Sequence, residues 1–549
     1  MFSKVSFGLG LCLIFFFAFQ TNKFFRSQAE GQIEFSSQPP PVDIPHDLLQ
    51  GTQNFLDFVS DSNLFTYTNC ESSLSAVYNS IKVIDPEYFD KPTVKSNFKK
   101  IIRNLYLTRI ALRNRLKEFV IAKQITPWSQ PENSCVSQIR NINRAARYLE
   151  DYLGEVFLEV NPFDAAHDPV FFGTFTGDEP WLQKSPGVEQ ITIRSGDMIM
   201  SRGSAYTSAA IARIGNVDSQ FSHMAFVYIE GDNTGRDYSL DEVTRNPKAY
   251  ILEAHIEVGS TIRQIASYLK DGNARNVLFR YPDAKVAHAA AKFSYDKMRN
   301  YTNNAYEKFR LNPLNWFLPK EHPNFNLPYD FKMDTTNVKE VFCSEVVSMG
   351  FNSPQINLKV PMFETNLPSV NENDLVRALG IKASHTYAPG DTELEPRFEM
   401  LAEWRDYRKV RAVRYSDAIL VSMFDWMKTY KYKFSPSFLL QMGINIVLEA
   451  RWFDIPRIAV GDAVIFDVSK KLPKNMSAEV AGTVETLNRT AEILEKRLKK
   501  DEQEYRFNHS GWLMPYYDML LSLSKYREQD YKASRGSGKS DFHKRFHGP

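Results

Sequence analysis

Apolar side chains recur at helical spacing along two long stretches of the N-terminal third. The first runs from Lys91 to Thr126 and the second from Asn133 to Val160. The apolar positions of the first stretch are Phe98, Ile101, Ile102, Leu105, Leu112 and Leu116. This spacing predicts two amphipathic helices. Together with the segment around Cys70, they predict a helical domain over residues 46–165.

The pattern changes after a junction rich in proline and glycine between Pro162 and Gly187. Short apolar runs predict strands at residues 197–201, 223–230, 250–256 and 276–281. Helical spacing follows at residues 284–301 and 342–350. The sequence therefore predicts an α+β domain over residues 187–385.

Helical spacing returns beyond Pro389, and no catalytic motif accompanies it. It predicts helices at residues 398–407, 416–432, 437–452 and 478–507. These form a helical C-terminal region over residues 390–531. Residues 532–549 are rich in Gly, Ser, Lys and His, a composition that predicts a disordered tail.

The first residues have the pattern of a targeting signal. Lys4 precedes an apolar run from Val5 to Phe19, which is short for a transmembrane helix. We therefore expect export, to the periplasm or the cell envelope, with residues 1–29 a signal peptide or an uncleaved anchor that associates with the membrane. The Ser, Gln and Pro content of residues 30–45 predicts an extended linker.

Composition excludes several classes of function. The 549 residues carry a formal net charge of +2. The chain therefore lacks the large positive charge that would indicate a nucleic-acid-binding protein. We find neither a glycine-rich phosphate loop nor paired metal-ligand spacing, and we expect no cofactor and no metal. His255 and Glu257, two residues apart, are only a weak sign of a metal site.

The cysteine count singles out one thiol. Without the signal segment, which contains Cys12, three cysteines remain: Cys70, Cys135 and Cys343. In an oxidising compartment Cys70 and Cys135 either bridge neighbouring helices or stay buried as unpaired thiols. Either way, Cys343 has no partner.

Cys343 lies where an apolar helical pattern begins, after the polar stretch from Asp334 to Glu340. Helix N-termini stabilise anions, so a cysteine there and beside an imidazole is expected to have a lowered pKa and a reactive thiolate. The alternative is a buried cysteine that packs as a small hydrophobe. In the catalytic interpretation, the backbone N–H of Cys343 is the first candidate donor to the oxyanion that develops on the substrate.

A base and an orienting group come from two predicted strands. His223 opens the strand 223–230, and the next strand carries Glu253 and His255 on one face by period-two alternation. A nucleophile, a base and an orienter form a catalytic set, with Cys343, His223 and Glu253 in these roles. His255 is the alternative orienter.

These motifs resemble the permuted papain-like amidases of the YiiX/YebB type, which are related to the NlpC-type cysteine hydrolases. The resemblance covers residues 187–358. It rests on five short motifs in order: Gly196-Asp197-Met198-Ile199, Ser222-His223, Ile251-Leu252-Glu253-Ala254, Tyr329-Asp330-Phe331 and Phe342-Cys343-Ser344-Glu345-Val346-Val347. It implies a circularly permuted papain-like domain, flanked here by helical regions, with a small barrel-like sheet and the cysteine helix packed against it.

The resemblance also implies a thiol hydrolase. The first interpretation is a cysteine peptidase or amidase that cleaves peptidoglycan peptides; the alternatives are a lipid or acyl-protein hydrolase or acyltransferase, and an inactive binding module. Phe342 departs from the family, which often has tyrosine there, and residues 302–327 are an insertion. We expect structural roles for Asp197 and Asp330, and a supporting role for Glu345.

Overall fold

The computed structural model describes most of the chain beyond residue 46. The described residues are 47–82, 91–127, 134–160, 181–215, 219–232, 234–311, 325–335, 339–369, 371–435, 444, 458–460, 463–466, 476–534 and 541–548. The expected signal segment and linker lie outside these residues, as does almost all of the helix expected at residues 437–452.

Four helices form the N-terminal region. They are α1 (Leu48–Ser60), α2 (Tyr67–Lys82), α3 (Lys91–Ile121) and α4 (Cys135–Val160). The two predicted amphipathic helices correspond to α3 and α4. A disulfide joins Cys70 of α2 to Cys135 of α4, with their Cα atoms 5.3 Å apart. Of the two alternatives for these cysteines, the structure therefore has the bridge.

The centre of the molecule is an antiparallel sheet with helices around it, which makes the fold α+β. Its elements are β1 (Leu182–Lys184), β2 (Thr192–Ile193), β3 (Met198–Arg202), α5 (Tyr206–Ala212), β4 (His223–Ile229), β5 (Tyr238–Ser239), α6 (Leu240–Arg245), β6 (Ala249–His255), β7 (Gly259–Gln264), α7 (Ile265–Tyr268), β8 (Arg275–Arg280), α8 (Ala284–Arg310), α9 (Cys343–Phe351), β9 (Thr365–Asn366), α10 (Asp374–Ala378), β10 (His385–Thr386) and β11 (Glu399–Arg405). Seven strands pair in the order β1-β11-β8-β3-β4-β6-β7.

Strand β11 corrects one prediction. Residues 398–407 were expected to form a helix, but Glu399–Arg405 pairs antiparallel with β8, and Ala402 lies opposite Leu278. Glu403 and Arg405 look like solvent-facing positions in sequence, yet both are buried. Their charges are paired inside the protein. The segment therefore has charged residues in its sequence although it is a buried strand. The sheet thus extends beyond residues 187–385 at both ends.

A buried ionic cluster joins the N-terminal helices to this sheet. Arg109 of α3 contacts Glu403 at 2.6 Å and Glu150 of α4 at 3.1 Å. Arg405 also pairs with Glu150, and Arg275 of β8 pairs with Asp151. Because a buried charge without a partner is costly, each of these groups requires the others. The helices and the sheet therefore pack as one structure.

The two faces of the sheet carry different layers. Ile199, Val227 and Ile251 pack in one core, on the side of α6 and α7. Alternate residues, such as Phe226 and Leu252, pack against α8 and α9 on the other side. Gly350 lets these two helices approach closely, because a Cβ there would lie 2.4 Å from the carbonyl oxygen of Ala290.

The C-terminal part is mainly helical. It comprises α11 (Tyr407–Tyr430), β12 (Lys433–Phe434), β13 (Ile458–Val460), β14 (Ala463–Phe466), α12 (Ala478–Asn508), α13 (Tyr516–Ser534), α14 (Asp541–Arg545) and β15 (Phe546–His547). The expectation of a disordered tail is wrong for residues 541–548, since Phe542 and Phe546 are fully buried and pack against Trp426. In the described part of the chain, no helix combines the length and hydropathy that crossing a membrane needs.

Candidate active site

Cys343 is the first residue of α9, the helix that packs on one face of the central sheet. The helix packs through Val346 and Val347 on the sheet face that carries Phe226. Only 3% of Cys343 is exposed, and it is a free thiol. The backbone N–H groups of Met224 and Ser344 contact the thiol and favour its ionised form. Since Met224 follows His223 in β4, these contacts bring the thiol to the start of that strand.

His223 is held by Glu253 from the neighbouring strand. Its Nε2 lies 2.7 Å from Oε2 of Glu253. A carboxylate only accepts hydrogen bonds, so Nε2 carries a proton and donates it. In the neutral ring Nδ1 is then the nitrogen with a free lone pair, which is the form that a general base needs.

The carboxylate of Glu253 is completely buried and has three further contacts with basic groups or donors. His255 Nε2 lies 3.2 Å from its Oε1, the Arg263 guanidinium forms an ion pair with it, and Thr261 is at 3.5 Å. Burial works to raise the pKa of Glu253, but the hydrogen bonds from His223 and His255 hold that pKa well below its usual range. Glu253 is therefore ionised at neutral pH.

The two imidazole rings stack, with centroids 4.6 Å apart and planes 17° from parallel. Burial and then the charge of His255 lower the pKa of His223, and the bond to Glu253 only partly offsets this. For His255, burial acts to lower the pKa, but Glu253 outweighs it and the net pKa is raised. Of the two imidazoles, His255 therefore takes up a proton first, and His223 is neutral at neutral pH.

One cavity is lined by the candidate nucleophile, the candidate base and the alternative orienting residue, but not by Glu253. These residues are Cys343, His223 and His255. Thr207 and Ile211 of α5 and the aromatic ring of Tyr329 form other parts of its wall. The thiol and the imidazole therefore border the same space.

The ionisation of Cys343 differs from the sequence-based expectation. A lowered pKa was predicted from the helix N-terminus, but burial raises the pKa of this thiol to about 11, and the N–H groups of Met224 and Ser344 only partly counter it. Desolvation of the thiolate therefore outweighs the helix terminus. The resting site has a neutral thiol beside a neutral imidazole.

The raised pKa predicts slow alkylation of Cys343 in the folded protein. At pH 7 an unfolded cysteine is ionised to a few per cent, so we expect iodoacetamide to modify native Cys343 roughly 100-fold more slowly than the unfolded chain. The rate should rise about tenfold per pH unit toward pH 11. Peptide mapping of the Cys343 peptide, with guanidinium-unfolded protein as the control, measures both. Equal rates at pH 7 would mean a preformed thiolate and contradict this result.

The other expected carboxylates have structural contacts. Asp197 accepts two hydrogen bonds from Arg280, at 2.8 and 2.7 Å. Asp330 accepts the backbone N–H groups of Lys332 and Asp334 and closes a turn. Burial, together with the charge of Asp330, raises the pKa of Glu345 to about 9, so that carboxyl group is neutral at pH 7 and does not oppose a thiolate.

The ligand atoms of His223, Glu253 and His255 lie within 4.8 Å of one another, close enough to hold a metal ion. The chemistry of the set argues otherwise. Both oxygens of Glu253 accept hydrogen bonds from the imidazoles, and the Arg263 guanidinium occupies the same carboxylate. A divalent cation would lie next to that guanidinium, so the residues fit a hydrogen-bonded orienting group better than a metal site.

Sequence reasoning missed Arg263 and the wall formed by α5. Glu253 pairs with Thr261 in the β6–β7 hairpin, which makes Arg263 its diagonal neighbour and within reach of a long side chain. The register of that hairpin could have revealed Arg263. No sequence signal placed Thr207 and Ile211 beside Cys343.

No family model, no curated protein and no solved structure matches the chain.

Proposed function

We propose that this protein is a cysteine hydrolase that cleaves an amide or ester bond by acyl transfer to Cys343. The observation that carries the proposal is the shared cavity of Cys343 and His223, with His223 oriented by the buried carboxylate of Glu253. The antiparallel sheet with a cysteine at the start of a packed helix supports a permuted papain-like domain of the NlpC type. The N-terminal residues support export to the periplasm or cell envelope.

In the proposed reaction, Nδ1 of His223 takes the thiol proton as the Cys343 sulfur attacks the carbonyl carbon. Because the resting thiol is neutral, proton transfer accompanies attack instead of preceding it. His223 then gives the proton to the leaving group, and water releases the acyl group from sulfur. Glu253 stabilises the imidazolium that forms between these steps.

Two substrate classes fit this chemistry. Expected export and the family resemblance favour peptidoglycan stem peptides. An apolar cavity next to the one that Cys343 lines favours acyl esters of lipids or acylated proteins. That cavity is a structural observation, and it favours the second class.

Digestion of muropeptides followed by mass spectrometry, run beside a panel of acyl esters, tests the proposal. New stem-peptide fragments support a peptidase, and released carboxylic acid supports an ester hydrolase. Cys343→Ala protein is the control in each assay. If neither assay yields a product, the result contradicts the proposed hydrolase and supports the inactive binding module.

A further inference from the structure

A second cavity lies directly beside the one that holds Cys343. Its wall comes from α5, α10, α12 and the segment after Tyr329. Ile214, Phe331, Leu375 and Leu487 are among its lining residues. Apart from Thr207 and Tyr329, every lining side chain is a hydrocarbon or a methionine, and none is charged. Such a surface offers little to a peptide backbone, whose polar groups need hydrogen-bond partners.

The two cavities are adjacent and share part of their walls. Thr207, Ile211, Ile256 and Tyr329 line both of them. An acyl chain whose carbonyl lay at Cys343 would have to pass these shared residues of α5 and its neighbours to enter the apolar space. In pockets of this kind, the hydrocarbon wall supplies binding energy and a few polar groups fix orientation.

We propose that the apolar cavity is an acyl pocket, which holds the straight hydrocarbon chain of a fatty acyl ester while Cys343 attacks its carbonyl. The inference rests on the proposed cysteine hydrolase and specifies its substrate class. Sulfur forms a bond to the carbonyl carbon, the carbon–oxygen ester bond breaks, and the alcohol leaves with the proton that His223 took from the thiol. Water then cleaves the thioester, and the products are the fatty acid and the free thiol.

Chain-length dependence of ester hydrolysis tests the acyl pocket. We expect kcat/KM for p-nitrophenyl esters to rise from acetyl through butyryl to octanoyl, by roughly fourfold for each methylene group buried, and to level off once the cavity is full. The rate of Cys343→Ala protein is subtracted as background. Equal values for acetyl and octanoyl esters would overturn the acyl pocket and leave the hydrolase standing.

Filling the cavity should remove the preference for long chains. Val484 lines the acyl pocket from α12, so Val484→Phe should lower the octanoyl-to-acetyl ratio of kcat/KM by about tenfold or more, with the acetyl ester unaffected. Leu379→Phe, from the end of α10, should act in the same way. Ile493→Phe is the matched control, because Ile493 is a partly buried residue of the same helix that does not line the cavity. An equal loss in this control would overturn the assignment.

Binding measured without chemistry separates the pocket from the reaction. In Cys343→Ser protein, calorimetry should show octanamide binding more tightly than butanamide, and Val484→Phe should abolish the difference. Chain-dependent binding without any ester turnover would support the acyl pocket and contradict the proposed hydrolase. Turnover without chain-dependent binding would do the reverse.

Discussion

Replacing Cys343 by alanine is expected to abolish turnover, with a fall of about four to six orders of magnitude. His223→Ala should do almost the same, because the buried neutral thiol has no other route to deprotonation near pH 7. The double variant should be little worse than either single one, since groups that act as a unit are not additive. The measurement is kcat/KM on the best ester or peptide substrate.

Two control variants distinguish a loss of catalytic chemistry from a general effect of changing a buried side chain. Ser348→Ala changes a buried side chain of the same helix, and His288→Ala removes a different half-buried imidazole, which contacts Ser195 at 2.9 Å. Both should keep nearly full activity. If the losses from Cys343→Ala and His223→Ala simply multiply in the double variant, the two residues do not share one mechanism.

Glu253→Gln should lower kcat/KM by about 10- to 1000-fold while the protein stays folded. The amide keeps the shape of the carboxylate but loses the charge that stabilises the imidazolium. Its NH₂ can also donate to Nε2 of His223, which moves the ring proton to Nδ1, the nitrogen that must accept from Cys343. Substrate binding should change little, so KM should change far less than kcat.

His255→Gln is the matched comparison on the same strand. Glutamine can still donate to Glu253, so the rate at neutral pH should be nearly that of the wild type. The charge of His255 lowers the pKa of His223, and its removal should raise that pKa. Activity requires neutral His223 and is lost as pH falls through this pKa, so the acid limb should move to higher pH. A severe defect here, with a mild one in Glu253→Gln, would make His255 the orienting group.

The candidate site was largely predictable because its residues follow local rules. Period-two alternation places Glu253 and His255 on one strand face, and the apolar pattern starts a helix at Cys343. Both rules depend only on residues that are close together in the chain, so they can be applied to the sequence alone. The sequence could not decide whether Cys70 and Cys135 form a disulfide or stay unpaired, because this depends on the packing of α2 on α4.

The rest depends on contacts between distant segments. Strand β11 was mistaken for a helix because Glu403 is neutralised by Arg109, nearly three hundred residues earlier in the chain. The pKa of Cys343 was mispredicted because burial by surrounding elements outweighs the local helix terminus. The acyl pocket could not be predicted from the sequence. Its lining includes Leu487 of α12, which is far from α5 and from Cys343 along the chain.

The central claim is that Cys343 carries the acyl group during turnover, and mass spectrometry of acid-quenched reactions tests it directly. With octanoyl ester as substrate, the peptide containing Cys343 should gain the mass of one octanoyl group. Hydroxylamine at neutral pH should release that group, as it does from a thioester, and His223→Ala protein should not form the adduct. Turnover that persists in Cys343→Ala protein, or an acyl group found on another residue, would contradict the account.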